Sequence, residues 1–104
     1  MGCKLDFTPH ALRDLEGIVA FYTEKEPAVA LRYADGIFGI ADRLRQFPQS
    51  GRLVPEFLDD GIKTYRECIF EYFRIVYRID DMDVIVVRVL DSRMLFPKYK
   101  IEGH

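Results

Sequence analysis

Arginine is the residue type in this chain with the clearest capacity for chemistry. Arg74 and Arg78 stand at alternating positions of the apolar run from Tyr72 to Ile79. Successive side chains of a strand point to opposite faces, so both project from the same one. The following apolar run adds Arg88 or Arg93 to that face, depending on register. Residues 84–100 hold Arg88, Arg93, Lys98 and Lys100 against Asp91 alone, a local charge of +3. Guanidinium groups grip phosphates and carboxylates through paired hydrogen bonds, so such a face can bind RNA, DNA or an acidic protein segment. The competing use is internal: the arginines can pair with Glu67, Glu71 or Asp91, and spacing alone favours that use.

Other chemistries lack their residues. Ser50 and Ser92 lie in no nucleophile elbow, and His10 opens a helix where a surface residue is ordinary. The histidines are His10 and His104 only, and Cys3 and Cys68 are 65 residues apart without a CxxC pair, so no zinc site is expected and both thiols are read as structural. No dinucleotide-binding, Walker or HExxH motif occurs, and no cofactor or metal is expected. Asp80, Asp81 and Asp83 have metal-friendly side chains but fall where a hairpin turn favours aspartate.

The elements that must position the arginines follow from patterning. At 104 residues, 49% hydrophobic and 31% charged, the chain matches one globular domain, expected to span 1–104. Its longest uncharged apolar run in the strand region is far shorter than the ~20 residues of a membrane helix, and no export leader is evident, so a soluble chain is expected. A net charge of −2 argues against a general nucleic-acid coat.

Residues Cys3 to Phe7 alternate as a short strand. Thr8 suits an N-cap and Pro9 the first helical position. Ala11, Leu12, Leu15, Ile18, Val19 and Tyr22 recur at helical spacing, and Glu24 to Pro27 ends that helix. A second helix from Pro27 to about Phe47 carries Ala30, Tyr33, Ala34, Ile37, Ala41 and Leu44 on one face, giving a helical hairpin. Leu31 and Phe38 flank this stripe and are expected to extend the core; otherwise they form an exposed apolar strip. Gly36 and Gly39 mark either close packing or tolerance. After a turn at 48–52 and an irregular acidic loop at 54–61, strands at 65–70, 72–79 and 84–91 form an antiparallel meander, with the tail from Met94 docking in part. The order β-α-α-β-β-β predicts an α+β fold, a helical hairpin over one face of a small antiparallel sheet.

The segments FTPHALRDLEGIVAFY at 7–22, LRQFPQSGRLVPEF at 44–57, YRECIFEYFRIVYRI at 65–79 and VIVVRVLDSR at 84–93 together resemble the RelE/ParE superfamily of bacterial type II toxins, the plasmid stabilisation proteins. The resemblance spans about residues 5–93. It implies a cytoplasmic toxin neutralised by a cognate antitoxin whose C-terminal segment wraps along it. RelE-like members are ribosome-dependent mRNA endonucleases, and ParE-like members poison DNA gyrase. Arg74, Arg93 and Tyr99 occupy positions similar to the RelE arginines and tyrosine. The RelE lysines are replaced by Tyr65 and Glu67, and Glu67 would repel the scissile phosphate unless it served as a base.

The resemblance therefore implies two alternatives. In a RelE-like enzyme, Arg74, Arg93, Tyr99 and Glu67 would be catalytic on mRNA at the ribosome. In a ParE-like toxin, Arg74, Arg78, Arg93, Leu31 and Phe38 would contact gyrase or the antitoxin. The low overall charge and the missing C-terminal helix favour ParE. A family member that only binds antitoxin is the third expectation.

Overall fold

One hydroxyl sets the turn from the first strand into the helical hairpin. Thr8 Oγ1 accepts from the Ala11 N–H at 3.1 Å, capping the helix, and donates to the Val87 carbonyl at 3.1 Å, tying that cap to the sheet. The computed structural model describes residues 4–102, so the expectations for Cys3 and His104 lie outside the described residues. Strand β1 spans Leu5–Phe7, helix α1 Pro9–Lys25 and helix α2 Pro27–Arg43. Glu26 alone separates the helices, and Pro27 starts α2 where a missing N–H costs nothing. The expected continuation of α2 to Phe47 is corrected: Leu44, Arg45 and Gln46 bond three residues back, a tightening turn after Arg43.

The remaining elements are β2 (Arg52–Leu53), α3 (Pro55–Leu58), β3 (Tyr65–Phe70), β4 (Phe73–Asp80) and β5 (Asp83–Asp91), followed by a single 3-10 turn at Lys98–Lys100. The meander β3–β4–β5 is antiparallel as expected. The wholly antiparallel sheet is not: β1 lies parallel to β5, β2 adds the other edge, and the mixed five-stranded sheet has the order β1-β5-β4-β3-β2. The parallel pairing arises because the whole helical hairpin lies between β1 and the meander, a connection long enough for a crossover. The loop expected at 54–61 contains a one-turn helix, again opened by a proline.

Alternation sorts the side chains of β4. Phe73, Ile75 and Tyr77 enter the main core with Ala11, Leu15, Tyr33 and Ile37 of the hairpin. Val76 faces the other way, into a second cluster with Val54, Phe57, Val87 and Ile101. A bulge between Val76 and Tyr77 shifts the register against β5. The arginine-bearing face of the sheet is not left bare: α3 and the C-terminal tail cover much of it with Phe57, Phe96 and Ile101.

Leu31 and Phe38, expected in the core, are exposed, because the tightly packed stripe of α2 runs through Ala30, Tyr33, Ile37 and Ala41 and leaves both on its outer flank. Phe38 still meets Phe7 edge-on, with ring centroids 5.5 Å apart. Gly36 is the close-packing case, since a Cβ there would come within 2.1 Å of the Phe70 ring; Gly39 has open space instead.

Candidate functional site

Each arginine singled out by spacing has a carboxylate partner. Arg74, on β4, donates through Nε to Glu67 Oε1 at 2.6 Å and through Nη1 and Nη2 to both oxygens of Glu56 on α3, at 2.9 and 2.6 Å. Its guanidinium also lies 4.6 Å over the Phe96 ring. Hydrogen bonds from Arg74 hold the Glu56 carboxyl below its ordinary pKa, against the opposing effect of partial burial. Glu67, fully buried on β3, takes its second guanidinium from Arg52, whose Nε lies 2.8 Å from Oε2. Arg78 donates to Glu102 at 2.6 Å and approaches Asp80 at 3.5 Å.

Arg88 and Asp14 form a paired fork at 2.7 and 3.1 Å, and the same carboxylate accepts the Val89 N–H at 2.9 Å. That bond supplies β5 with a partner where β1 has already left the sheet. Arg93 holds Asp91 at 2.6 and 2.9 Å and lies 4.4 Å over Tyr72; its hydrogen bonds lower the Asp91 pKa. Internal pairing with Glu67 and Asp91 thus prevails, while the third expected partner, Glu71, takes Arg32 at 2.6 Å.

The tail is tied down by the same chemistry. Glu102 accepts from Arg78 and from the Tyr65 hydroxyl at 2.9 Å, Lys98 pairs with Asp60, and Ile101 is buried. Burial, with help from the Glu102 hydrogen bond, pushes the Tyr65 phenol up to about 12. A raised folded-state pKa contributes stability that is fully present below the unfolded value near 10 and lost as pH rises toward about 12. Alkaline unfolding followed by circular dichroism is expected to show this loss between pH 10 and 12, and Tyr65→Phe is expected to flatten that part of the curve.

Beside this network a groove of about 630 Å³ opens between α1, the end of β5 and the segment 93–97. Arg74 and Arg93 both line it, as do Arg13, Asp14, Arg88 and Asp91. Ile18, Phe21, Tyr22 and Phe73 supply apolar wall, and Met94 and Leu95 form a protruding rim. Tyr99 is 88% exposed and lies outside this lining, as do Arg78, Glu67, Leu31 and Phe38. Of the four residues of the nuclease expectation, Arg74 and Arg93 share the groove, Glu67 is bonded to Arg74 but buried, and Tyr99 lies outside the groove. Phe38 instead lines a separate depression with Leu12, Leu15 and Val19 on the helical hairpin. Arg13, Asp14 and Gly17 line the groove without standing out by spacing; the signal for them in the sequence is a glycine inside an amphipathic helix with Arg-Asp one turn before it. Cys68 is a half-buried free thiol, its pKa raised by burial. Among the described residues no cluster of histidine, cysteine and acidic side chains could hold a metal ion, and no helix is long and apolar enough to cross a membrane.

A helical hairpin on one face of a five-stranded mixed sheet matches the fold of RelE/ParE-type toxin structures. The model of the ParE toxin of the type II toxin-antitoxin system, parDE, matches residues 5–96, and the chain belongs to this family. A solved chain from the chromosomal ParDE toxin-antitoxin system of P. aeruginosa has a TM-score of 0.70 at 22% identity, covering 86% of this chain and 95% of that one. A chain from the RelBE2 toxin-antitoxin complex of Mycobacterium tuberculosis has a TM-score of 0.58 at 23% identity, covering 88% of this chain and 99% of that one. These two likenesses concern the fold. No curated protein matches the chain.

Proposed function

We propose that this chain is a cytoplasmic ParE-type toxin that acts by protein contact on DNA gyrase, without cofactor or metal, and is neutralised by a cognate antitoxin. The observation carrying this reading is the engagement of the nuclease set in structure: Glu67 is sealed between Arg74 and Arg52, while Tyr99 lies outside the groove. A carboxylate with both oxygens held by guanidiniums and no solvent contact is poorly placed to take a substrate proton. A net charge of −2 also offers little attraction to ribosomal RNA. Membership of the ParE family supports the gyrase target, and the toxin-antitoxin complexes among the similar structures support an antitoxin partner.

One observation favours the RelE-like alternative, the presence of Arg74 and Arg93 in a single groove. A supercoiling assay with purified gyrase separates the two. Inhibition with trapped cleavage complexes is the expected result. Unaffected gyrase together with mRNA cut in an in vitro translation reaction would establish the endonuclease instead. Neither effect, with normal growth on induction, would identify a family member that only binds antitoxin.

A further inference from the structure

Between the two helices, Leu12, Leu15, Val19, Ala20 and Phe38 line a depression of about 410 Å³, with Glu16 beside them. Leu31 precedes Phe38 by two helical turns and falls on the same stripe of α2. Leu12, Phe38 and Leu31 are 44%, 47% and 68% exposed and lie outside the core cluster. Large apolar groups gathered along one seam in this way mark a surface that is ordinarily covered. The charged groups of the seam are acidic. Asp35 and Asp42 share the stripe of Leu31 and Phe38 at helical spacing. Arg45 meets Asp42 at 3.2 Å, whereas Glu16 and Asp35 are exposed and form no ion pair among the described residues. Arg13, one turn before Glu16, lines the other groove instead.

We propose that this seam docks a basic segment of the target, gyrase, with one large apolar side chain seated between Leu12, Val19 and Phe38 and Lys or Arg meeting Glu16 and Asp35. The placement rests on the gyrase half of the functional reading above. Unpaired carboxylates beside an apolar depression select a cationic protein surface, because complementary charge orients an encounter and like charge opposes it. A second copy of the chain would bring the same acids against Glu16 and Asp35. Nucleic acid and anionic lipid headgroups would be repelled in the same way. An enzyme that works on DNA, by contrast, holds phosphates with clustered Lys and Arg. It is therefore a partner whose surface chemistry complements this seam, and the net charge of −2 favours the same encounter.

The test measures the affinity of the full chain for purified gyrase and its inhibition of supercoiling, in parallel with thermal unfolding. Glu16→Lys combined with Asp35→Lys is expected to weaken binding at least ~30-fold and to flatten its salt dependence. The Tm should stay near that of the parent, because both side chains are exposed and unpaired. Leu31→Ser should weaken binding about tenfold, the scale of burying one leucine side chain. Asp6→Lys combined with Glu24→Lys makes the same change in net charge at exposed acids off the seam and should bind as the parent does. Parental affinity in a folded Glu16→Lys, Asp35→Lys chain would overturn the placement, and so would an equal loss in the Asp6→Lys, Glu24→Lys chain. A seam variant that keeps gyrase binding but loses the antitoxin would overturn it in favour of the antitoxin. A parent that dimerises through the seam would overturn it in favour of a second copy. Failure of the parent chain itself to bind gyrase would refute the functional reading, and the placement with it.

Discussion

Arg74→Met is expected to lower the free energy of unfolding by about 3–5 kcal/mol, the cost of removing one partner from a buried ion pair. Arg74 is 12% exposed, and the Glu67 side chain it holds is fully buried. Methionine fills a similar volume, so the loss falls on the carboxylate left with Arg52 alone, itself 60% exposed and a poor substitute. For a domain of this size the Tm should fall by something on the order of 15 °C, and urea titration should give the free energy directly. Arg74→Met combined with Glu67→Gln should recover part of that loss, because the buried charge then disappears from the site. Full additivity of the two substitutions would show that the pair is not coupled. The functional consequence is that lost toxicity in an Arg74 variant is evidence about catalysis only when the fold is shown to persist.

The second large effect is expected at the turn between α2 and β2. The Tyr77 hydroxyl, from the middle of the main core, donates to the Pro48 carbonyl at 2.6 Å and accepts from the Gly51 N–H at 3.0 Å. Arg66 closes the other side of the turn on the Gly51 carbonyl at 2.8 Å. A Cβ at Gly51 would come within 2.6 Å of the Tyr77 oxygen and 2.8 Å of the Glu67 carbonyl, both in a buried region. Gly51→Ala is therefore expected to cost about 3 kcal/mol through overpacking and a displaced hydrogen bond. Tyr77→Phe should cost about 2 kcal/mol, since it strands two backbone groups and creates no clash. Calorimetry on both variants checks the order. A Gly51→Ala chain as stable as the parent would show that the turn relaxes freely. This clamp gives a physical account of the Phe47–Arg52 segment, one of the sequence features that carried the family resemblance: the glycine admits the tyrosine, and Arg52 then reaches Glu67.

How much of this was legible beforehand depended on how local each signal is. Thr8-Pro9 and Pro27 set their helix starts through backbone chemistry within one turn, and the structure places the starts there. The alternation of Phe73, Ile75 and Tyr77 against Arg74 and Arg78 holds because the two-residue period of a strand belongs to the chain itself. The short strands β1 and β2 were harder: three residues pair in parallel with β5 and two pair with β3, and pairing partners remote in sequence leave no periodic trace. Leu31 and Phe38 show the same limit on a helix. Their types suit a core, yet which flank of an amphipathic stripe meets the sheet is decided by how the helix rolls upon it.

By itself, then, the sequence determined the α+β class, the hairpin, the meander and the family, all of which rest on periods and caps written within a few residues of one another. Only the tertiary structure decided the state of the arginines. Glu56 reaches Arg74 from 18 residues away, Glu102 reaches Arg78 from 24 and Asp14 reaches Arg88 from 74. A guanidinium looks the same in sequence whether it awaits a phosphate or already holds a carboxylate, and long-range folding alone brings that carboxylate within hydrogen-bond distance.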